Sequence, residues 1–197
     1  MKKVSKSLLA IQFLIAIPLM IAVIFWPAGT FRWIEGWIYL ILQLGYAIII
    51  TLYFLKHNPI VIKKRMEIKI PPKLWDKLVM MPIVLAMTSL LVVPGLDVIR
   101  YQWSSIPLYL EIIGFIGFIL SSYWIFLIMK ENSFLLITVE IQENHKVVST
   151  GPYKIVRHPM YSSAIMMMFS IALALGSLYA LIPAAIGSIS LIIRTQF

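Results

Sequence analysis

The sequence predicts an all-α, polytopic transmembrane helical bundle, and its composition and long apolar runs are the observations that indicate this class. Of the 197 residues, 61% are hydrophobic and only 13% are charged, about half the charged share of a typical soluble domain. A soluble fold of this length could not bury so much apolar surface, so lipid must be the solvent. The chain has no cysteine, which excludes disulfides, thiolate nucleophiles and thiolate metal sites. We predict no metal site.

About six membrane spans are predicted, and each of the first four is an apolar run near the roughly 20 residues that cross the hydrocarbon. These runs are residues 8–26, 37–55, 78–94 and 106–129. The last apolar stretch, residues 162–193, is too long for one span. Within it, Gly176 and Ser177 suit a tight turn, and Pro183 suits the first turn of a new helix. The last two spans are therefore predicted to be short helices that form a hairpin across the membrane.

The distribution of positive charge supports this topology and predicts its orientation. With six spans, all of the 17 lysines and arginines except Arg32 and Arg100 fall on one face, which the positive-inside rule makes cytoplasmic. The N-terminus and Arg194 lie on that face, and membrane lipids are its expected partners. A net charge of +9 could suggest a nucleic-acid partner, but base-stacking aromatic side chains are not interspersed with the charges. We therefore predict no nucleic-acid partner. We predict one integral membrane domain over residues 1–197, with N-terminal spans in 1–94.

A polar segment at residues 151–161, here called the motif segment, directly precedes the hairpin. Its Gly-Pro pair predicts a turn, and Pro159 disfavours helix at His158 and starts the next helix. Arg157, His158, Tyr153 and Tyr161 together offer donors, acceptors and ring faces that could surround a ligand bearing a carboxylate and a purine. The alternative is that Arg157 and His158 extend to the headgroups and bind lipid phosphate. The residues alone leave both interpretations open.

A longer stretch around this segment, "HKVVSTGPYKIVRHPMY" at residues 145–161, strongly resembles the signature of a known family. It is that of the isoprenylcysteine carboxyl methyltransferases and their phospholipid methyltransferase relatives. The sequences "ENSFLLITVEIQENH" before it and "LALGSLYALIPA" and "LIIRT" after it are similar to bacterial-type members. The resemblance covers about residues 95–197, which it identifies as a methyltransferase-like core, and it implies a bacterial cell membrane as the location.

The resemblance implies an S-adenosylmethionine-dependent membrane methyltransferase with its cofactor site on the cytoplasmic side. The positions that match the family's cofactor site are Gln142, His145, Lys146, Val147, Val148, Tyr153, Arg157, His158, Pro159, Met160 and Tyr161. Arg194 matches the arginine that orients the acceptor carboxylate, although an arginine there could also simply end the sixth span at the headgroups. Carboxyl methylation of a small lipophilic or lipid-linked acceptor is the expected reaction. A carboxylate is already ionised near neutral pH, so no strong general base is needed.

Two further expectations concern the end of the chain and the class of function. Family members continue after this arginine with a glutamate four residues on, a further helix and a tail, whereas the sequence here ends at Phe197. We therefore expect a truncated enzyme fold whose catalytic competence is open. The alternative is a shortened family member that only binds, or that acts with a partner supplying the missing part. The alternatives to a methyltransferase are a membrane reductase of the steroid-reductase type that binds NADPH, or a non-catalytic membrane protein.

Overall fold

Within the residues that a computed structural model describes, 6–66, 74–132 and 150–195, all regular structure is helical. The helices are α1 (Lys6–Ala28), α2 (Ile34–His57), α3 (Pro59–Met66), α4 (Leu74–Pro94), α5 (Leu108–Glu131), α6 (Pro159–Ala174) and α7 (Leu181–Arg194). A π-helical segment, Gly95–Arg100, continues α4, and a short 3-10 helix, Gly151–Lys154, precedes α6. The predicted all-α bundle is confirmed.

Four of these helices are long and apolar enough to cross a membrane, namely α1, α2, α5 and the continuous helix Leu74–Arg100. They coincide with the first four predicted spans to within a few residues. The last two helices, α6 and α7, are apolar but contain only 16 and 14 residues. The chain is thus an integral membrane protein with four long and two short apolar helices in its described part.

The turn between α6 and α7 forms as the sequence predicts. Gly176 has a positive φ of 77°, a conformation that costs glycine little because it has no Cβ. Its amide donates to the Leu173 carbonyl, and the amide of Ser177 donates to that of Ala172, both at 3.0 Å. This pair of hydrogen bonds is the Schellman arrangement that ends a helix. Pro183 lies in the first turn of α7, so the predicted hairpin is confirmed.

Small residues allow the hairpin to pack closely on its neighbours. A Cβ on Gly114 of α5 would collide with the backbone at the end of α6, 2.7 Å from the carbonyl carbon of Leu173. A Cβ on Gly187 of α7 would lie 2.9 Å from the Cβ of Ala86 in α4. Close backbone approach through small residues is the usual way in which helices pack in lipid. As a result α6 packs on α5 and α7 packs on α4.

The helices run alternately up and down, which brings one set of helix termini together. The starts of α1, α4 and α6 and the ends of α2, α5 and α7 lie at the end of the bundle that bears the motif segment, here called the site end. At the opposite end, the buried carboxylate of Asp97 accepts hydrogen bonds from Ser104 Oγ at 2.6 Å and Ser177 Oγ at 2.5 Å. These bonds fasten the hairpin turn to the segment that follows α4.

Candidate functional site

The motif segment begins with a turn that packs against the end of α5. Gly151 has a positive φ of 59°, and the Thr150 hydroxyl donates a hydrogen bond to a carboxylate oxygen of Glu131. The Asn132 side chain, directly after α5, donates to the Tyr153 hydroxyl at 3.0 Å. These contacts hold the turn in a fixed position relative to α5.

The half-buried side chain of Tyr153 places a hydroxyl group at this turn. Burial raises its pKa, and the hydrogen bond from Asn132 lowers it by a smaller amount. The hydroxyl is therefore neutral at physiological pH. The Tyr153 oxygen accepts from Asn132, and its proton has no acceptor among the described residues, so it can be donated to an acceptor atom on a ligand.

The start of α6 has the geometry that Pro159 predicts. His158 has φ −122° and ψ 64°, outside the helical region, and Pro159 is the first helical residue. The rings of His158 and Tyr161 are stacked, with centroids 5.9 Å apart and planes 13° from parallel. Arg157 and His158 are exposed, whereas Tyr161 is half-buried. Arg157 and His158 are therefore accessible at the start of α6, and the half-buried ring of Tyr161 stacks with that of His158.

The backbone amides of this helix start are less open than an N-terminus usually is. The amides of Tyr161 and Ser162 both donate to the His158 carbonyl, at 3.1 and 3.2 Å, and Pro159 has no N–H. Of the first-turn amides, that of Met160 is the one left without a partner among the described residues. A ligand here must be recognised mainly by side chains.

Arg194, at the end of α7, is buried and paired with a carboxylate. It is 8% exposed, and its Nε and Nη2 atoms both lie 3.0 Å from Oδ1 of Asp76. Asp76 is in the first turn of α4 and Arg194 in the last turn of α7, where helix dipoles favour a negative and a positive charge respectively. Arg194 is therefore held inside the bundle rather than extended to the headgroups. The family resemblance did not indicate Asp76 as its partner.

The structure brings together some of the predicted site residues and does not test others. Tyr153, Arg157, His158, Pro159, Met160, Tyr161 and Arg194 all lie at the site end. Gln142, His145, Lys146, Val147 and Val148 lie outside the described residues. Sequence reasoning missed Asp76 and Asn132; a lone aspartate at the start of an apolar helix was the only signal for the first.

A comparison with protein families agrees with the sequence resemblance. Residues 109–197 match the model of the phospholipid methyltransferase family. This match covers α5, the motif segment and the α6–α7 hairpin, and it confirms the resemblance for that part of the chain. No curated protein and no solved structure gives a significant match.

The fold and the family match together define a class of protein. The chain has the apolar helices of an integral membrane protein, and its second half resembles membrane methyltransferases. The family to which the match points is that of the phospholipid methyltransferases.

Proposed function

We propose that the protein is an S-adenosylmethionine-dependent methyltransferase that methylates a carboxylate on a small lipophilic or lipid-linked acceptor at the cytoplasmic face. One observation supports this most directly. The hairpin returns Arg194 to the end of the bundle at which the motif segment lies, and both belong to the stretch that matches a methyltransferase family.

The described part of the motif segment fits a cofactor that has a purine ring, a carboxylate and a sulfonium. The rings of His158 and Tyr161 are nearly parallel and could stack with a purine, and Arg157, next to His158 in the chain, is exposed. A guanidinium binds a carboxylate through two parallel hydrogen bonds, and the Tyr153 hydroxyl can donate one more. When bound, the cofactor would supply an electrophilic methyl group.

The Asp76–Arg194 pair sets a condition on acceptor binding. An acceptor carboxylate that approaches Arg194 must share the guanidinium with Asp76 or displace it, because Nε and Nη2 already contact that residue. The pair is buried, so the guanidinium is held in one orientation before the acceptor arrives. Pre-orientation of this kind lowers the entropy that an acceptor loses on binding.

The reaction requires positioning rather than proton transfer. The acceptor oxygen forms a bond to the methyl carbon while the carbon–sulfur bond breaks, and the electron pair of that bond passes to sulfur. No proton moves, because the acceptor is already an anion. The tasks of the protein are to align the two ligands and to exclude water.

The proposal is tested by titrating the purified full-length chain in detergent with S-adenosylmethionine and, separately, with NADPH. We expect saturable binding of S-adenosylmethionine that is weakened at least tenfold in His158→Ala and Tyr153→Ala. Arg100→Ala, an exposed arginine at the opposite end, is the control and should bind normally. Binding of NADPH in preference to S-adenosylmethionine would favour the reductase, and binding of neither would favour a non-catalytic protein.

The chemistry of the acceptor is tested with a labelled methyl group. Membranes that contain the protein are incubated with methyl-tritiated S-adenosylmethionine, and the lipid extract is treated with alkali. A carboxyl methyl ester releases volatile methanol, whereas an N-methyl product keeps its label. Retention of the label after alkali would contradict carboxyl methylation and leave methyl transfer itself intact.

A further inference from the structure

A cleft at the site end separates α1 from the rest of the bundle. Its volume is about 530 Å³, within the range of small-molecule sites, and its walls come from α1, α2, α3, α5 and α6. Most of its lining is apolar, but it also includes the side chains of Gln12, Gln43, Tyr46 and Thr51. From α6 it is lined by Met160 and Met167, and Met160 belongs to the motif segment.

The cleft exists because the described residues of α1 are fully buried only at its far end, whereas near the site end Leu9 is partly buried against the neighbouring helices. The buried residues of α1 are Ile24, Phe25 and Ala28, which pack in the main hydrophobic cluster. At the site end a second, smaller cluster joins the ends of α2 and α5 to α3, through residues such as Phe54, Ile62 and Met129. The cleft lies where these two clusters do not meet, so a ligand there would complete the apolar packing.

Three of the polar side chains in the cleft have no hydrogen-bond partner among the residues that the structure describes. Gln12, Gln43 and Thr51 form no side-chain hydrogen bond within the described residues. Gln12 and Thr51 each lie about 9 Å along their helices from the site-end terminus, and Gln43 about 21 Å. The polar groups thus extend from near the interface to the middle of the hydrocarbon, where an amide without a hydrogen bond is costly.

We propose that this cleft binds the tail of the acceptor lipid, and that the tail is a single chain with a hydroxyl or carbonyl group part-way along it. The inference rests on the proposed function and adds the chemistry of the acceptor. An unsubstituted hydrocarbon chain would fill the apolar walls but would leave the amides of Gln12 and Gln43 unsatisfied. A mid-chain oxygen would accept from the amide of Gln43, the deepest of the three polar side chains, and Met160 would place the head of the same molecule beside the motif segment.

Binding of two probes to the purified full-length chain tests this, without any added S-adenosylmethionine. The probes are stearic acid and a mid-chain hydroxystearic acid, which differ by one hydroxyl. We expect the hydroxylated probe to bind about three- to tenfold more tightly, the effect of one net hydrogen bond. Gln43→Leu should remove this preference, whereas Gln12→Leu and Thr51→Val, which lie nearer the interface, should change it less. Thr88→Val is the matched control, because Thr88 is exposed to lipid on α4 and does not line the cleft.

The outcomes separate this inference from the proposed function. Equal affinity of the wild-type protein for the two probes would overturn it and indicate an ordinary membrane lipid. A preference that survives in Gln43→Leu would also overturn it, because the hydroxyl would then be recognised outside this cleft. Thermal unfolding of each variant in detergent shows whether it is folded, independently of cofactor binding. If the wild-type protein does not bind S-adenosylmethionine but still prefers the hydroxylated probe, the proposed methyltransferase function is refuted and the cleft is still a lipid-binding site.

Discussion

The buried ion pair between Asp76 and Arg194 gives the sharpest prediction about stability. In Asp76→Ala the guanidinium of Arg194 stays buried without its carboxylate, and removing one partner of a buried pair costs about 3–5 kcal/mol. For a chain of this length we expect the midpoint of thermal unfolding to fall by on the order of 10 °C. Asp76→Asn keeps one acceptor oxygen for Nε and Nη2 of Arg194, so this variant should lose less stability than Asp76→Ala. Thermal unfolding in detergent measures both.

A double-mutant cycle separates this pair from the other interactions of Arg194. The double variant Asp76→Ala/Arg194→Ala should lose less stability than the sum of the two single variants, because each single variant leaves a buried charge without its 3.0 Å ion-pair contact. Thr88→Val on the same helix is the control and should unfold within a degree or two of the wild type. The reasoning is refuted if Asp76→Ala unfolds at the same temperature as the Thr88→Val control. It is also refuted if the stability lost in the double variant equals the sum of the losses in the two single variants.

Three further predictions concern packing, titration and topology. Gly114→Ala should lower stability by about 1–3 kcal/mol, because its Cβ collides with backbone of α6 that cannot give way; unchanged thermal unfolding would contradict that contact. Because burial raises the pKa of Tyr153, the stability that this phenol contributes is present below about pH 10 and is lost as pH rises through its folded-state pKa; difference absorbance titration of wild type and Tyr153→Phe should assign a step above the usual range, and a step at the ordinary value would be evidence against it. Since the chain has no cysteine, Thr195→Cys and Ser105→Cys are single labelling sites at opposite ends; an impermeant maleimide should reach the first only from the cytoplasm, and labelling of that site from outside would reverse the proposed orientation.

The parts of the fold that depend on local sequence could be predicted well. The length of the apolar runs determined α1, α2, α4 and α5 to within a few residues, because the hydrocarbon thickness sets a minimum length for each. The hairpin turn was predictable because Gly176 is needed where φ is positive and Pro183 is tolerated only at a helix start. The start of α6 followed from Pro159 in the same way.

The contacts between helices could not be predicted in this way. The choice of Asp76 as the partner of Arg194 depends on how α4 and α7 pack, and no spacing within either helix encodes that packing. The cleft is likewise a property of how α1 diverges from its neighbours. The orientation in the membrane and the roles of the cofactor-binding residues remain predictions.

The shortness of α6 and α7 has a consequence for the surrounding bilayer. With 16 and 14 residues these helices are about 24 and 21 Å long, less than the roughly 30 Å of hydrocarbon in an average bilayer. Such a mismatch is relieved by local thinning of the lipid or by recession of the helix ends below the headgroups. We therefore expect the bilayer to be thinner beside α6 and α7 than beside the four helices that are long enough to cross it.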